Sequence, residues 1–414
     1  MSAIDPAPQA VAQPRRLRVV GAPARPSVVV VDWNVTRTSP IGSSVLAVLG
    51  GLHDRYRFVV VAAYFENPSP DTIEHVHVRL PRVPTFIKEL CWPTIAGFGL
   101  RRRGLGRLPG SVTRATQGQF PGADIVCAHF CHRAYLSEYF PKAGTRGLRR
   151  ISRFVVHRHG AYLERRAFRR ARVISVPSQG LAREIERTYP FAAEKIRHIP
   201  NPVDTARFAR DEQFDRAAAR AELGFRPGDV VFVFVALGDF GRKGLEIGLR
   251  GLAAATPSDA RLVVVGGTKG EIGVFQGIAE KLGIADQVRF VGLQQDVRSY
   301  LWLSDAFLFP TIYEAASKAV LQAAAAGLPI IAPRINGIED VIEHGVNGWF
   351  AERTTEGFAE AIRISLGSRD ALPTMGDQAR RAVAGNDTRF YVQHWDELLT
   401  HVLGDGDTAA PDER

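Results

Sequence analysis

The chain has 414 residues, 45% hydrophobic and 23% charged, enough for two ordinary domains that each bury a core. No apolar run approaches the roughly 20 residues that cross a bilayer. Three cysteines, Cys91, Cys127 and Cys131, make neither a disulfide framework nor a zinc site and are read as buried free thiols, with no metal expected.

The net charge of +10 is uneven, with eleven Lys or Arg between Lys142 and Arg172 against one acid, Glu164. That imbalance suggests an anionic partner. Nucleic acid is set aside, because there is no zinc finger, no RNA-binding signature and little aromatic content among the arginines. The smaller cluster of Arg101, Arg102, Arg103 and Arg107 reads as a solvated face.

In chain order, the start mixes Ala, Pro and Gln with no apolar core, so residues 1–26 are expected to be a disordered tail of a cytoplasmic protein. The β-branched runs "SVVVVDW", "RFVVVAAYF", "ADIVCAHF" and "ARVISVPS" then alternate with helix-length segments, as buried parallel strands do. After the first run, Gly42 precedes Ser43 and Ser44, which read as the opening of a helix. After the third, His129 ends a strand and His132 follows; His129 is the preferred candidate for the crevice, with a buried structural histidine the competing reading.

The pattern restarts after "IRHIPNPVDTARF", whose Pro200 and Pro202 suit an extended hinge. Two α/β units in tandem follow, one over 27–203 and one over 204–386. A helix at 387–404 has Phe390, Trp395, Leu398 and Leu399 at helical spacing, and the polar end, 405–414, reads as a second tail.

Open parallel sheets bind ligands beyond the carboxyl ends of their strands. Beyond "VVFVFVA" the segment "LGDFGRKG" offers Gly238, Gly241 and Gly244 with Arg242 and Lys243 at a helix opening, the parts of a diphosphate site or of a tight turn with exposed bases. Beyond "DAFLFP" comes "TIYEAASKAVLQAAAAGLPII", read as a loop followed by a helix over Ala315 to Ala326. Glu314, Lys318 and Gln322 recur every fourth residue, and Ala315, Ala316 and Ser317 let a ligand approach the backbone. Close helix-to-sheet packing accounts for Ala323 to Ala326.

From Ala171 to Phe350 these segments, with "RLVVVGG" and "INGIEDVIEHGVNGWF", resemble the retaining glycosyltransferases of family 4 in the family's order, the lipopolysaccharide-core glucosyltransferases above all in the C-terminal half. The resemblance implies a GT-B fold of two Rossmann-like domains, with the acceptor on the first, the nucleotide sugar on the second, and the 387–404 helix crossing back to the first. It implies a UDP- or GDP-sugar donor as substrate, no cofactor and no metal, and a glycan or lipid-linked acceptor.

By resemblance, Arg242 and Lys243 hold the diphosphate, Glu314 bonds the donor sugar, and the amides of Ala316 and Ser317 line it. The amides of Val320 and Leu321 meet the phosphates, Gln322 stands where the family has a ribose-binding Glu, Gly42 belongs to a loop closing over the donor, and His129 faces the acceptor. Asp239 departs from the pattern, since many members carry an arginine there. The basic run 142–172, interleaved with apolar residues, is expected to rest on the anionic inner leaflet as a peripheral surface. A nucleotide-sugar epimerase of the same fold and a silent nucleotide-sugar-binding protein stay open as alternatives.

Overall fold

A computed structural model describes residues 25–105, 110–142, 147–256 and 258–404. Arg107, Arg146 and all but the end of the expected 1–26 tail lie outside those residues, as does the expected 405–414 tail.

Val28, Val29, Val30 and Val31 are all buried, so the strand Ser27–Val31 is covered on both faces and sits at the middle of a sheet. That sheet has seven parallel strands in the order Glu74–His77, Arg57–Ala62, Ser27–Val31, Ser111–Thr116, Ile125–Cys127, Val173–Val176, Ile196–His198. Val29 faces Val59 on one side and Thr113 on the other, which fixes the register at its centre. A second sheet of six parallel strands runs Val288–Gly292, Ala260–Gly266, Val230–Ala236, Ala306–Leu308, Ile330–Ala332, Gly348–Phe350. Each apolar run named from the sequence overlaps one of these strands. The GT-B architecture, two Rossmann-like units facing each other, is therefore the fold of this chain.

Several strands were not foreseen, and their composition explains it. Ser111–Thr116 carries Arg114 at its middle, a residue that argues against a central strand, yet the side chain is buried with its guanidinium 4.8 Å over the Trp395 ring. Glu74–His77 and Ile196–His198 are short edge strands whose polar side chains reach solvent, and Gly348–Phe350, on the edge of the second sheet, is only three residues long and opens on a glycine.

The chain leaves the first unit through Pro200 and Pro202 and returns beside that crossing. The Val203 N–H donates to the Asn386 carbonyl at 2.8 Å, Asn386 Nδ2 donates to the Asn201 carbonyl at 3.1 Å, and Val203 bridges Asp387. The helix Thr388–Gly404 then packs on the helix Pro40–Leu52, with Tyr391, Trp395, Leu398, Leu399 and Val402 in the same core as Val28, Val30 and Phe58. Tyr56 donates its hydroxyl proton to Asp396 at 2.8 Å at the edge of that contact. Trp395→Ala is expected to remove about 3–5 kcal/mol from the first unit's unfolding transition in urea, whereas a change below 1 kcal/mol would show that the helix is dispensable to that core.

Glu164, the one acid of the basic run, is fully buried in the long helix Gly147–Arg170. It accepts from the His132 N–H at 2.9 Å and the Tyr189 hydroxyl at 2.8 Å, but burial wins and pushes its carboxyl up to about 8. The folded chain thus holds a proton that the unfolded chain releases, so this group's contribution is complete below the ordinary Glu range and is lost as pH rises toward 8. Glu164→Gln is expected to melt progressively higher relative to the parent between pH 5 and about 8. A melting difference that stays flat with pH would mean the carboxyl is ionised throughout.

Candidate active site

The loop after Val230–Ala236 is shaped by its glycines and by Phe240. Gly244 has φ 78°, and a Cβ there would stand 1.9 Å from the Pro310 carbonyl oxygen, so only glycine lets this turn close on the neighbouring strand's end. Phe240 is buried against Phe234 and Phe275 and pins the loop. Arg242 and Lys243 precede the helix Leu245–Ala255, in the turn, so their side chains are aimed by the loop and not by a helix. Gly238 lies against Glu271, and Gly241 is open around its Cα.

The helix expected from Ala315 opens later, as Lys318–Ala325 with Ser317 as its cap. Glu314 therefore sits in the preceding loop and does not share a helical face with Lys318 and Gln322. The later start also moves the ligand-facing donors. The Val320 N–H donates to Ser317 Oγ at 3.4 Å and the Leu321 N–H to the Ser317 carbonyl at 3.1 Å, so neither amide is available for phosphate. The first-turn N–H groups left for a ligand are those of Lys318 and Ala319. Ala316 gives its carbonyl to Asn201 Nδ2 at 3.1 Å, which ties the loop to the hinge. Ala323, Ala324 and Ala325 are fully buried beneath the helix Leu372–Ala382, where larger side chains would not fit.

Glu314 and the two bases meet. Lys243 Nζ donates to Glu314 Oε1 at 2.6 Å, Thr311 Oγ1 donates to the same oxygen at 2.8 Å, and Arg242 stands 3.6 Å from it. Burial would raise the Glu314 carboxyl, but Lys243 and then Arg242 hold it below its ordinary value. Burial lowers the Lys243 ammonium, against the pull of Glu314. Arg242 also donates to the Tyr313 carbonyl at 2.9 Å and, through Nε, to Asp239 Oδ2 at 3.1 Å.

Asp239 brings in the other unit. Arg153, from the helix Gly147–Arg170, donates to Asp239 Oδ2 at 3.2 Å, and Arg153 and Arg242 together hold this carboxyl low against its burial. Arg153 was grouped in sequence with a membrane-facing run; it points instead into the crevice, because the glycine loop offers it an acid. Asp239 itself adopts φ 57°, a left-handed conformation unusual for a residue with a side chain.

On the opposite wall, His129 lies at the end of its strand, with its ring held neutral and lowered to about 3 by burial, then by Arg114 and Lys318. His132 meets His157, Nδ1 to Nδ1 at 3.0 Å, with the Phe130 ring against it. Gly42 is not a free loop residue. It lies in the first turn of Pro40–Leu52, its N–H is taken by Ser39 Oγ at 3.1 Å, and a Cβ there would meet the Asn34 carbonyl oxygen at 2.6 Å. Ser43 next to it is the residue that reaches across, accepting from Lys318 Nζ at 2.7 Å. Gln322 is half-buried on its helix. Sequence reasoning missed Arg153, Asp239 and Ser43 as crevice residues, and only the unusual acid after Gly238 offered a signal. Among the described residues no group of three or more His, Cys, Asp or Glu side chains could hold a metal ion.

Two family models match the chain, Glycosyltransferase Family 4 over residues 41–207 and Glycosyl transferases group 1 over residues 230–367. A D-inositol 3-phosphate glycosyltransferase of Nocardia farcinica is 29% identical over 219 residues, 49% of this chain and 47% of that protein. A GDP-mannose-dependent alpha-(1-6)-phosphatidylinositol monomannoside mannosyltransferase of Mycobacterium tuberculosis is 30% identical over 238 residues, 53% of this chain and 58% of that protein. The chain thus spans about half the length of these curated relatives. The crystal structure of WaaG, a glycosyltransferase involved in lipopolysaccharide biosynthesis, superposes with a TM-score of 0.73 at 20% identity over 90% of this chain and 99% of that one, which is a likeness of fold. With one model on each sheet unit and the glycine loop, bases and acid assembled between them, the chain belongs to glycosyltransferase family 4.

Proposed function

We propose that the chain is a retaining, metal-independent glycosyltransferase that moves a sugar from a UDP- or GDP-sugar to a glycan or lipid-linked acceptor of the cell envelope. The observation that carries this reading is the meeting of Arg242, Lys243 and Glu314 at the carboxyl edge of the second sheet, opposite the carboxyl edge of the first. The GDP-mannose in the mycobacterial relative's name supports a nucleotide-sugar donor.

In this reading the bond from the sugar's anomeric carbon to the diphosphate oxygen breaks, and the acceptor oxygen bonds to that carbon on the same face. The acceptor's proton passes to the leaving phosphate. Arg242, Lys243 and the N–H groups that open Lys318–Ala325 stabilise the developing diphosphate charge without reorganising, which is where most of the rate comes from. All the contacts of Glu314 fall on Oε1, so Oε2 is the oxygen that takes a donor hydroxyl, orienting the sugar. Gln322 accepts from the ribose without charge assistance, and His129, a neutral ring, orients the acceptor hydroxyl.

Lys243→Ala is expected to lower transfer about 10²–10³-fold while the chain stays folded by circular dichroism, with a lowered melting temperature because buried Glu314 loses its cation. The substrate follows from a thermal-shift panel of UDP- and GDP-sugars, since a ligand of the folded state raises its melting point with occupancy. Near-normal turnover in Lys243→Ala, or no stabilisation by any nucleotide sugar, would overturn the reading.

The outside of the first unit supports a membrane setting for the acceptor. Among the described residues no helix is long and apolar enough to cross a membrane. The helices Thr85–Arg102 and Gly147–Arg170 pack together and expose Phe98 (65%), Ile151 (61%), Phe154 and Val155 beside Arg101, Arg102 and Arg158. This combination supports peripheral seating on anionic lipid at the inner leaflet. Sedimentation with phosphatidylglycerol vesicles but not phosphatidylcholine vesicles is expected, lost at high salt and in the double variant Ile151→Glu, Val155→Glu. Equal partitioning onto both lipids would leave the surface as an ordinary solvated face.

A further inference from the structure

Lys318 is a cation without an anion. Its Nζ donates to the Ser43 hydroxyl at 2.7 Å across the crevice, and no carboxylate of the described residues pairs with it. The nearest acid along the chain, Glu314, is already engaged by Lys243, Thr311 and Arg242. Burial alone acts on the ammonium and lowers it to about 7.

The groups around it are neutral, and none of them supplies a negative charge. Ser43 faces it from the helix Pro40–Leu52, and His129 faces it from the first sheet, its own ring pressed toward neutrality by burial, Arg114 and Lys318. The helix that Lys318 opens contributes its positive end. A half-buried ammonium with no carboxylate beside it costs stability unless something compensates it, and an aliphatic side chain would fill the same position without that cost. The site therefore has the electrostatics of an anion pocket, set where Lys318 of the second unit meets Ser43 of the first.

We infer that Lys318 receives an anionic group of the substrate, a carboxylate or a phosphate monoester borne close to the reacting carbon, and that Ser43 holds the ammonium in position until that group arrives. The inference rests on the glycosyl-transfer reading and narrows it: one of the two sugars that meet in the crevice is acidic or phosphorylated. The anion has two possible sources, a carboxylate on the donor sugar or a phosphate on the acceptor, and the experiment separates them.

Calorimetry on the full chain compares UDP-glucose with UDP-glucuronate for the first source, and measures inorganic phosphate with and without saturating UDP for the second. The parent is expected to favour UDP-glucuronate over UDP-glucose, or to bind phosphate, by about tenfold or more over Lys318→Met, the range for hydrogen bonds to charged groups. Lys318→Arg keeps the preference. Because the first readout is a ratio of two UDP-sugars, any affinity that Lys318→Met loses for the nucleotide cancels. The donor arm alone responding assigns a uronate-type donor; the phosphate arm alone assigns a phosphorylated acceptor. Identical ratios and identical phosphate binding in parent and Lys318→Met would overturn the inference. If no nucleotide binds the parent, the transfer reading fails, and phosphate binding without UDP still decides the role of Lys318.

Discussion

Everything in the crevice depends on one inserted ring. Tyr313 leaves the second unit and enters an aromatic pocket of the first, with Phe130, Tyr135 and Tyr139 all within 5.4 Å centroid to centroid. Its hydroxyl accepts from the Cys131 N–H at 3.0 Å and donates to Glu184 at 2.7 Å, so the buried oxygen is satisfied in both roles. Glu314 follows Tyr313 directly. The contact that fastens the two units also sets the position of the acid, and a shift of one displaces the other. Other polar links repeat the theme on the same edge: Arg183 pairs with Glu339, and the Gln179 N–H donates to Asp340 at 2.9 Å. Gly180 lies between them, where a Cβ would stand 2.6 Å from Asn336 Oδ1.

The site is internally neutralised to a large degree. Arg153, Arg242 and Lys243 are set against Asp239 and Glu314, so the cations are desolvated and already aimed, and Coulombic repulsion among them is relieved by the two carboxylates. A diphosphate entering this arrangement competes with acids for cations, which favours ligands with concentrated charge over neutral sugars. Arg153 matters here because it comes from the opposite unit: the charge of the glycine loop is partly set by a side chain 86 residues earlier in the chain.

The fold was largely legible because burial on both faces demands apolar runs, and runs such as Val230 to Ala236 can hardly be read otherwise. Edge strands such as Glu74–His77 were not, since one flank meets solvent and the pattern dissolves. Within the site, Arg242, Lys243 and Glu314 were found because each lies just after a strand, where local sequence decides position. Ser43, Asp239 and Arg153 depend on the approach of two separately folded sheets, and no local pattern encodes that distance. The start of the Lys318–Ala325 helix was misjudged for a different reason. Alanine is the best helix former, but the Ser317 hydroxyl offers the Val320 N–H a capping bond that stops the helix short of the alanines at 315 and 316.

The two neighbouring crossings have a consequence for biogenesis. Because Thr388–Gly404 packs beside Pro40–Leu52, the second sheet is in effect an insertion within the first unit. On the ribosome the second sheet emerges without interruption and can close on its own core. The first must wait, with Val28, Val30 and Phe58 lacking the cover of Trp395 and Leu399, until Thr388–Gly404 has been made. Of the two units, the one synthesised first is thus the one completed last, and a ribosome that stops before Thr388 releases a chain with Val28, Val30 and Phe58 open to water.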